Sequence, residues 1–193
     1  MTERDRDPVD ADTQVGKIST RRVYTGRVVS LDVDKVRFPN GTTGELEMIR
    51  HSGASAVVPL LEEPDGETKV VLVRQYRYAA EGYVYEVPAG RLDSGENPEA
   101  CAHRELKEET GYTAAGMRRL TTIFTTPGFT DERIHLFLAT GLQSGRSRLE
   151  SDEVLDLWPV TMTRALEMIR SGEICDGKTI SALLYVAEFS EKK

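Results

Sequence analysis

Three glutamates in one predicted helix are the residues of this chain whose spacing points most directly to chemistry. Glu105, Glu108 and Glu109 lie within residues 98–110. A helix turns about 100° per residue, so the three carboxylates share one face within an arc of about 100°. Like charges at this spacing repel one another and are seldom placed together without a compensating cation. Clustered oxygen ligands favour Mg²⁺ or Mn²⁺, and two such ions could hold a pyrophosphate and generate hydroxide from water. The alternative is a solvated acidic face.

The ends of this helix are marked by residues with known capping preferences. Asn97 can accept a hydrogen bond from the first unpaired amides, and Pro98 suits the first helical position, where no N–H is needed. Gly111 suits the left-handed residue that ends a helix. The sequence therefore predicts a helix over residues 98–110.

The acidic helix is part of a longer pattern that resembles the Nudix family. The Nudix box reads G-x5-E-x7-R-E-U-x-E-E-x-G-U, where U is a bulky apolar residue. Every position is filled, by Gly90, Glu96, Arg104, Glu105, Leu106, Glu108, Glu109, Gly111 and Tyr112, which makes the pattern specific. An aliphatic residue is commoner than tyrosine at the last position. The resemblance implies an α/β fold of the Nudix α/β/α sandwich type with a mixed sheet. It also implies Mg²⁺, or Mn²⁺ in its place, with two or three ions per site, and hydrolysis of a nucleoside diphosphate linked to another group.

The flanking sequence resembles the ADP-ribose pyrophosphatase branch of that family. Pro127 lies fifteen positions after Tyr112, within the stretch TTPGFTDE, and a proline there is the mark of the branch. Residues 75–77 and 86–90, and an N-terminal β appendage, resemble the same branch. The resemblance implies hydrolysis of ADP-ribose to AMP and ribose 5-phosphate. It also implies a homodimer whose subunits exchange the appendage.

Two other functions stay open. The first is the same chemistry on another sugar nucleotide, such as GDP-mannose, ADP-glucose or a UDP-sugar, because the sequence does not reveal the pocket for the base. The second is a non-catalytic sensor of ADP-ribose with a Nudix fold. The intact box favours the enzyme.

The resemblance assigns roles to residues of the box. Glu105 and Glu109, with the Ala89 carbonyl, are expected to bind metal, and Glu108 is expected to face a further ion. Gly90, Gly111 and Pro127 are expected to be structural. Glu96 and Arg104 are expected to pair, to hold the loop and to orient Glu105, with contact to the substrate as the alternative.

Residues outside the box complete the expected site. Arg77 is the expected clamp for a phosphate or ribose, since a planar guanidinium suits two-point contacts with oxygen; the alternative is an ordinary charge at a strand end. Gly128 and Phe129 are expected to contact the substrate, and Phe129 could equally pack against the protein. The branch takes its catalytic base from a loop outside the box. Glu153 matches the position of that base best, and Glu150 and Asp152 are the alternatives. If none of them is the base, the segment is an ordinary solvated acidic loop.

A second motif, at residues 172–179, suggests a different chemistry and is rejected. GEICDGKT matches the phosphate-binding loop pattern G-x4-G-K-T. Such a loop follows a buried strand, whereas residues 164–170 have helical periodicity. Glu173 and Asp176 would also place negative charge inside a phosphate cradle. We therefore expect Lys178 to begin the last helix.

The elements that must position these residues follow from hydrophobic patterning. We expect an acidic disordered tail over residues 1–17, an antiparallel β appendage over 18–52 and the catalytic domain over 53–193. Asn40-Gly41 predicts a hairpin turn in the appendage, whose strands have few large apolar groups and need covering by the rest of the chain or by a second copy. Buried strands are predicted at 55–60, 69–75, 120–124, 134–139 and 154–160, and further helices from about 163 and over 179–189.

Composition limits the classes of protein that remain. The 193 residues include 32 acidic and 25 basic side chains, for a net charge of −7, which argues against a nucleic-acid binder held by charge. No apolar run approaches the roughly 18–20 residues of a membrane span, and the first residues do not resemble a signal peptide. Two cysteines cannot form a disulfide framework or complete a zinc site. We expect a cytoplasmic protein whose partner is a small nucleotide sugar, with neither nucleic acid nor membrane involved.

Overall fold

The computed structural model describes residues 14–145 and 155–189, and these divide into two compact units. The first unit comprises the described residues up to His51 together with Thr126–Glu132, and the second comprises Ser52–Thr125 and the residues from Arg133 onward. The division therefore falls one residue before the boundary predicted at 52 and 53. It also assigns the segment Thr126–Glu132, which the sequence placed in the catalytic domain, to the first unit. Residues 1–13 of the predicted tail lie outside the described residues.

The first unit contains a three-stranded antiparallel sheet. Its strands, in sheet order, are β1 (Gly16–Thr25), β2 (Ser30–Arg37) and β3 (Thr43–Arg50). Strand β1 includes the last two residues of the predicted tail, 16 and 17, and all ten of its residues are exposed. Gly41 has a left-handed φ of 83° between β2 and β3, as its place in an Asn-Gly turn requires.

Ion pairs, rather than large apolar side chains, connect the strands of this sheet. Asp32 and Asp34 of β2 are buried, and Arg50 of β3 forms ion pairs with both carboxylates. Arg22 of β1 also pairs with Asp32, and this hydrogen bond lowers the pKa of Asp32. Arg50 Nη1 extends the network by donating to Asp131 Oδ2 at 3.1 Å.

The second unit contains a seven-stranded mixed sheet. Its central order is β10-β5-β4-β9-β8, with β6 added to β5 and β7 added to β4. Strands β4 and β9 are parallel and the other pairs are antiparallel. The two short strands β6 and β7 were not predicted. The bounds are β4 (Ala54–Glu62), β5 (Thr68–Arg77), β6 (Gly82–Glu86), β7 (Ala89–Arg91), β8 (Tyr112–Phe124), β9 (Arg133–Ser144) and β10 (Leu155–Thr161).

Three helices cover the two faces of this sheet: α1 (Pro98–Thr110), α2 (Met162–Ser171) and α3 (Gly177–Phe189). Side chains alternate between the faces along β4. Val57 shares a buried cluster with Leu106 of α1, whereas Val58 shares another with Met168 of α2 and Leu183 of α3. The predicted α/β/α sandwich with a mixed sheet is therefore confirmed. Within residues 14–145 and 155–189, no helix is long and apolar enough to cross a membrane.

Candidate active site

The caps of α1 set the orientation of its acidic residues. Asn97 Oδ1 accepts a hydrogen bond from the Glu99 N–H at 2.8 Å, and Gly111 closes the helix with a φ of 77°. Both caps are those that the sequence predicts. With the helix fixed in this way, the side chains of Glu105 and Glu109 turn inward and are 8% and 5% exposed. Glu108 remains on the solvent side.

The carboxylate of Glu105 lies directly against the backbone of Gly90 in β7. A Cβ atom added to Gly90 would lie 1.9 Å from Glu105 Oε1, so no residue with a side chain fits unless Glu105 moves. One residue earlier, the Ala89 N–H donates to Glu109 Oε2 at 3.3 Å. Two buried carboxylates of α1 therefore meet two successive residues of β7.

Arg104 connects the loop before α1 to the acidic face of the helix. Its Nε and Nη2 donate to the two carboxylate oxygens of Glu96, at 2.9 and 2.8 Å. Its Nη1 donates to Glu105 Oε1 at 2.5 Å and to Glu108 Oε2 at 3.1 Å. The hydrogen bond to Arg104 lowers the pKa of Glu96 to about 2. The pairing expected for Glu96 and Arg104 is present, and Arg104 also contacts Glu105 directly.

The acidic face can be tested for its fit to a divalent ion. Within the part of the chain that the structure describes, no three Asp, Glu, His or Cys side chains are grouped so that they could hold an ion by themselves. Glu105 and Glu108 share the cation of Arg104 instead. Mg²⁺, however, usually takes one or two carboxylates and completes its shell with waters and substrate phosphates. The buried carboxylate of Glu109 and that of Glu105, which occupies the space that a side chain on Gly90 would fill, fit that mode of binding.

A second charged cluster of the same unit surrounds Glu86, at the end of β6. Arg77 donates from Nε to Glu86 Oε1 at 2.7 Å and from Nη2 to Oε2 at 2.9 Å. Lys178 Nζ donates to Glu86 Oε2 and, at 3.0 Å, to Asp176 Oδ2. Burial raises the pKa of Glu86, but its bonds to Arg77 and Lys178 outweigh burial and lower it overall. Sequence reasoning selected Arg77 but missed Glu86 and Lys178. Their one available signal was an acidic residue at position 86 inside the apolar run VYEVP.

The predicted site residues that the structure describes belong to both compact units. The second unit contains Arg77, Ala89, Gly90, Glu96, Arg104, Glu105, Glu108, Glu109 and Gly111. The carboxylate of Glu86 and, more weakly, that of Glu109 raise the pKa of Arg77, so Arg77 is within electrostatic reach of the acidic helix. The first unit contains Pro127, Gly128 and Phe129, where Phe129 O accepts from the Ile49 N–H at 2.8 Å. The base candidates Glu150, Asp152 and Glu153 lie outside the described residues.

The rejected phosphate-loop motif has the surroundings that the sequence predicted. The segment from Gly172 follows helix α2 rather than a strand, and Gly177 begins α3. Lys178 lies in the first turn of α3, where it contacts carboxylates.

The sandwich fold and the acidic helix together define a Nudix-type hydrolase. A family model for the NUDIX domain matches residues 51–174. The chain therefore belongs to the Nudix family, and it is a Nudix hydrolase. Nudix hydrolases generally need divalent metal ions.

Similar proteins occur in several bacteria. The chain is 44% identical to the methanol dehydrogenase activator of Bacillus methanolicus and 39% identical to the ADP-ribose pyrophosphatase of Bacillus subtilis. Each alignment covers 88% of this chain and 90% of the relative. It is 36% identical to the GDP-mannose pyrophosphatase of Salmonella typhimurium, over 88% of this chain and 91% of that protein. The crystal structure of an ADP compounds hydrolase superposes on this chain with a TM-score of 0.77 and 20% sequence identity. The superposition covers 94% of this chain and 96% of the hydrolase chain. That similarity supports the shared fold.

Proposed function

We propose that this Nudix hydrolase cleaves the pyrophosphate bond of ADP-ribose and releases AMP and ribose 5-phosphate. The observation that carries the proposal is the pair of buried carboxylates, Glu105 and Glu109, placed against the backbone of Gly90 and Ala89. Two buried like charges one turn apart repel each other, and a bound divalent ion would relieve that repulsion in addition to the cation of Arg104 beside Glu105. The choice of ADP-ribose is supported by the 39% identity to the ADP-ribose pyrophosphatase of Bacillus subtilis.

The metal ligands would be Glu105, Glu109 and the Ala89 carbonyl, with Glu108 facing a further ion. We propose Mg²⁺, with Mn²⁺ as a substitute, and two or three ions per site. When bound, such ions would neutralise charge on the diphosphate and make a water more acidic. Arg104 orients the Glu105 carboxylate through the hydrogen bond between them, and Glu96 fixes Arg104 on its other edge.

The substrate would be held by residues outside the acidic helix. Two N–H groups of Arg77 are bonded to Glu86, and the others are available to phosphate oxygens, because the Arg77 side chain is 45% exposed. Gly128 and Phe129 are proposed to contact the terminal ribose, and Pro127 to shape their turn. The half-exposed ring of Phe129 is suited to that contact.

The proton acceptor for the attacking water is proposed to be Glu153, with Glu150 and Asp152 as alternatives. A carboxylate within hydrogen-bond reach of the water can take its proton as the water attacks phosphorus. The support for this assignment is the acidic segment LESDE at residues 149–153, which ends two positions before the first residue of β10 and matches the place where the resembling branch carries its base.

We further propose that the protein is a homodimer. Support comes from β1, a fully exposed edge strand that carries Val23 and Tyr24, each more than half exposed. An edge strand with exposed apolar side chains is suited to covering by another chain. Analytical ultracentrifugation would test this, and a monomer at micromolar concentration would contradict it. A cytoplasmic location remains a prediction from composition.

A second candidate substrate is GDP-mannose, which is favoured by the 36% identity to a GDP-mannose pyrophosphatase across most of both chains. One substrate panel separates the candidates. ADP-ribose, GDP-mannose, ADP-glucose and a UDP-sugar are each incubated with the protein and Mg²⁺, and the products are identified by mass spectrometry. We expect the highest kcat/KM for ADP-ribose, with AMP and ribose 5-phosphate as products and no reaction in excess chelator. A higher value for GDP-mannose would select the second candidate. Binding of ADP-ribose without turnover of any compound would indicate a sensor.

A further inference from the structure

Glu86 has no part in the reaction proposed above, yet it is only 4% exposed and is bonded to two cations. Oε1 accepts from Arg77 Nε, and Oε2 accepts from both Arg77 Nη2 and Lys178 Nζ. A buried carboxylate is costly unless its charge and lone pairs are satisfied. Two cations satisfy Glu86, so removal of either one would leave it under-compensated.

The start of α3 holds Glu86 and its neighbouring backbone in place through hydrogen bonds. Asp176 Oδ2 accepts from the Thr179 N–H at 2.9 Å, from Thr179 Oγ1 at 2.6 Å and from Lys178 Nζ at 3.0 Å. Thr179 Oγ1 in turn accepts from the Val87 N–H at 2.9 Å. Residues 176–179, which match the end of the phosphate-loop pattern, therefore bind the backbone next to Glu86 and the Glu86 side chain itself.

The contact between Glu86 and Arg77 determines where the guanidinium points. A guanidinium has five N–H donors in one plane, and a carboxylate that accepts two of them along one edge fixes that plane. Here Nε and Nη2 form that edge, which directs Nη1 and the second N–H of Nη2 away from Glu86. Arg77 is also attracted by Glu109, whose charge raises the Arg77 pKa. Without Glu86, Arg77 could turn towards the acidic helix and compete for the carboxylate that we assign to metal.

We propose that Glu86, supported by Lys178, is a positioning residue that holds the Arg77 guanidinium in the orientation needed to bind the substrate diphosphate. The inference rests on the proposed function, because it needs Arg77 to contact substrate. A glutamine has a single acceptor oxygen, so Glu86→Gln cannot accept the two N–H groups of the edge on two separate oxygens as the carboxylate does. Loss of a fixed donor to a developing charge costs about 10²–10³ in rate, so a donor that is present but misdirected should cost about 10–100-fold in kcat/KM.

A double-mutant cycle tests the proposal with kcat/KM for the preferred nucleotide sugar as the readout. We expect Glu86→Gln to lose about 10–100-fold in the wild type and less than about 3-fold in an Arg77→Ala background, since the residue acts through Arg77. The same factor in both backgrounds would mean a purely structural role and would overturn the proposal. Glu86→Asp keeps the buried charge beside Lys178 and shortens its reach, so the same cycle can be run if Glu86→Gln fails to fold.

Chemical rescue provides an independent readout. Free guanidinium ions at millimolar concentration should restore part of the kcat of Arg77→Ala, because Glu86 can hold the ion in place of the missing side chain. The same ions should not restore Arg77→Ala/Glu86→Gln. Equal rescue of both variants would overturn the proposal.

The control is Glu173→Gln, which breaks a solvent-exposed ion pair between Arg164 of α2 and Glu173, with Arg164 Nη2 2.7 Å from Glu173 Oε2. It should keep the wild-type kcat/KM.

The proposed function, the substrate role of Arg77 and the positioning role of Glu86 would each fail with a different result. A wild type that hydrolyses no nucleotide sugar refutes the proposed function and the inference with it. An active wild type with an Arg77→Ala variant of equal activity refutes the substrate role of Arg77. If the variants are active and Glu86→Gln lowers kcat/KM by the same factor with and without Arg77, only the positioning role of Glu86 is refuted.

Discussion

Replacement of Gly90 by alanine should displace a proposed metal ligand without altering the fold. The φ of Gly90 is not in the left-handed region, so alanine can adopt the same backbone conformation. Its Cβ would, however, lie 1.9 Å from Glu105 Oε1, 2.1 Å from Cδ and 2.4 Å from Oε2. An ordinary contact needs about 3.5 Å, so the carboxylate must move by roughly 1.5 Å. The moving atoms are the end of a flexible side chain, so the cost in stability should be about 1–3 kcal/mol.

The expected loss of activity is much larger than this loss of stability. A misplacement of about 1 Å in a reacting constellation can cost about 100-fold in rate, and Mg²⁺ tolerates little deviation from its ligand geometry. We therefore expect Gly90→Ala to lower kcat/KM by about 100-fold or more, which corresponds to about 2.7 kcal/mol of transition-state stabilisation. The assay is steady-state hydrolysis of the preferred nucleotide sugar with saturating Mg²⁺, together with thermal unfolding of the same sample.

A matched control separates the clash from the mere addition of a methyl group. In Gly82→Ala the new Cβ would lie 3.6 Å from the Ala80 carbonyl oxygen, an ordinary contact, and Gly82 also lies in a short strand of the same sheet. We expect that variant to retain wild-type kcat/KM. If Gly90→Ala were folded and within about 3-fold of the wild type, the position of the Glu105 carboxylate would not matter for catalysis, and the ligand assignment would be refuted.

The remaining predictions concern single carboxylates. Glu109→Gln should lower kcat by orders of magnitude and leave the circular dichroism spectrum unchanged, and an unchanged rate would remove Glu109 from the ligand set. Glu153→Gln should depress kcat far more than KM, and a near-normal kcat would transfer the role of base to Glu150 or Asp152. Glu96→Gln should cost about 1–2 kcal/mol of stability at neutral pH, since the partly exposed ion pair of Glu96 is screened by solvent. The folded-state pKa of Glu96 is depressed from 4.5 to about 2, so its contribution is present above pH 4.5 and lost as the pH falls towards 2. Urea unfolding of both proteins across this range should therefore show the difference disappearing, and a constant difference would contradict the assignment.

Local signals predicted the acidic helix and its ends correctly. Asn97 and Gly111 cap α1 at the expected positions, because capping depends on residues adjacent in the sequence. The buried strands β4, β5 and β9 were predicted for a related reason, because they are continuous apolar runs that sequence patterning detects directly. The sandwich arrangement itself was expected from the resemblance to the Nudix family.

Features that depend on distant partners were missed. Strand β7 has three residues, Ala89–Arg91, and it exists because it pairs with β4, more than thirty positions earlier. The bond between Glu86 and Lys178 joins residues 92 positions apart, and no local pattern connects them. Phe129 was expected within the catalytic domain over residues 53–193, whereas its segment belongs to the first compact unit, where its carbonyl accepts a hydrogen bond from the Ile49 N–H. Long-range pairing of this kind is a property of the tertiary fold.

The central claim is that the buried carboxylates of α1 bind divalent ions together with a nucleotide diphosphate. Electron paramagnetic resonance of Mn²⁺ tests it most directly, because the signal of the free ion decreases on binding. We predict uptake by the wild type at or below millimolar Mn²⁺, tighter uptake when ADP-ribose is present, and loss of both in Glu109→Gln. A wild type that takes up no Mn²⁺ at millimolar concentration, with or without ADP-ribose, would contradict the account.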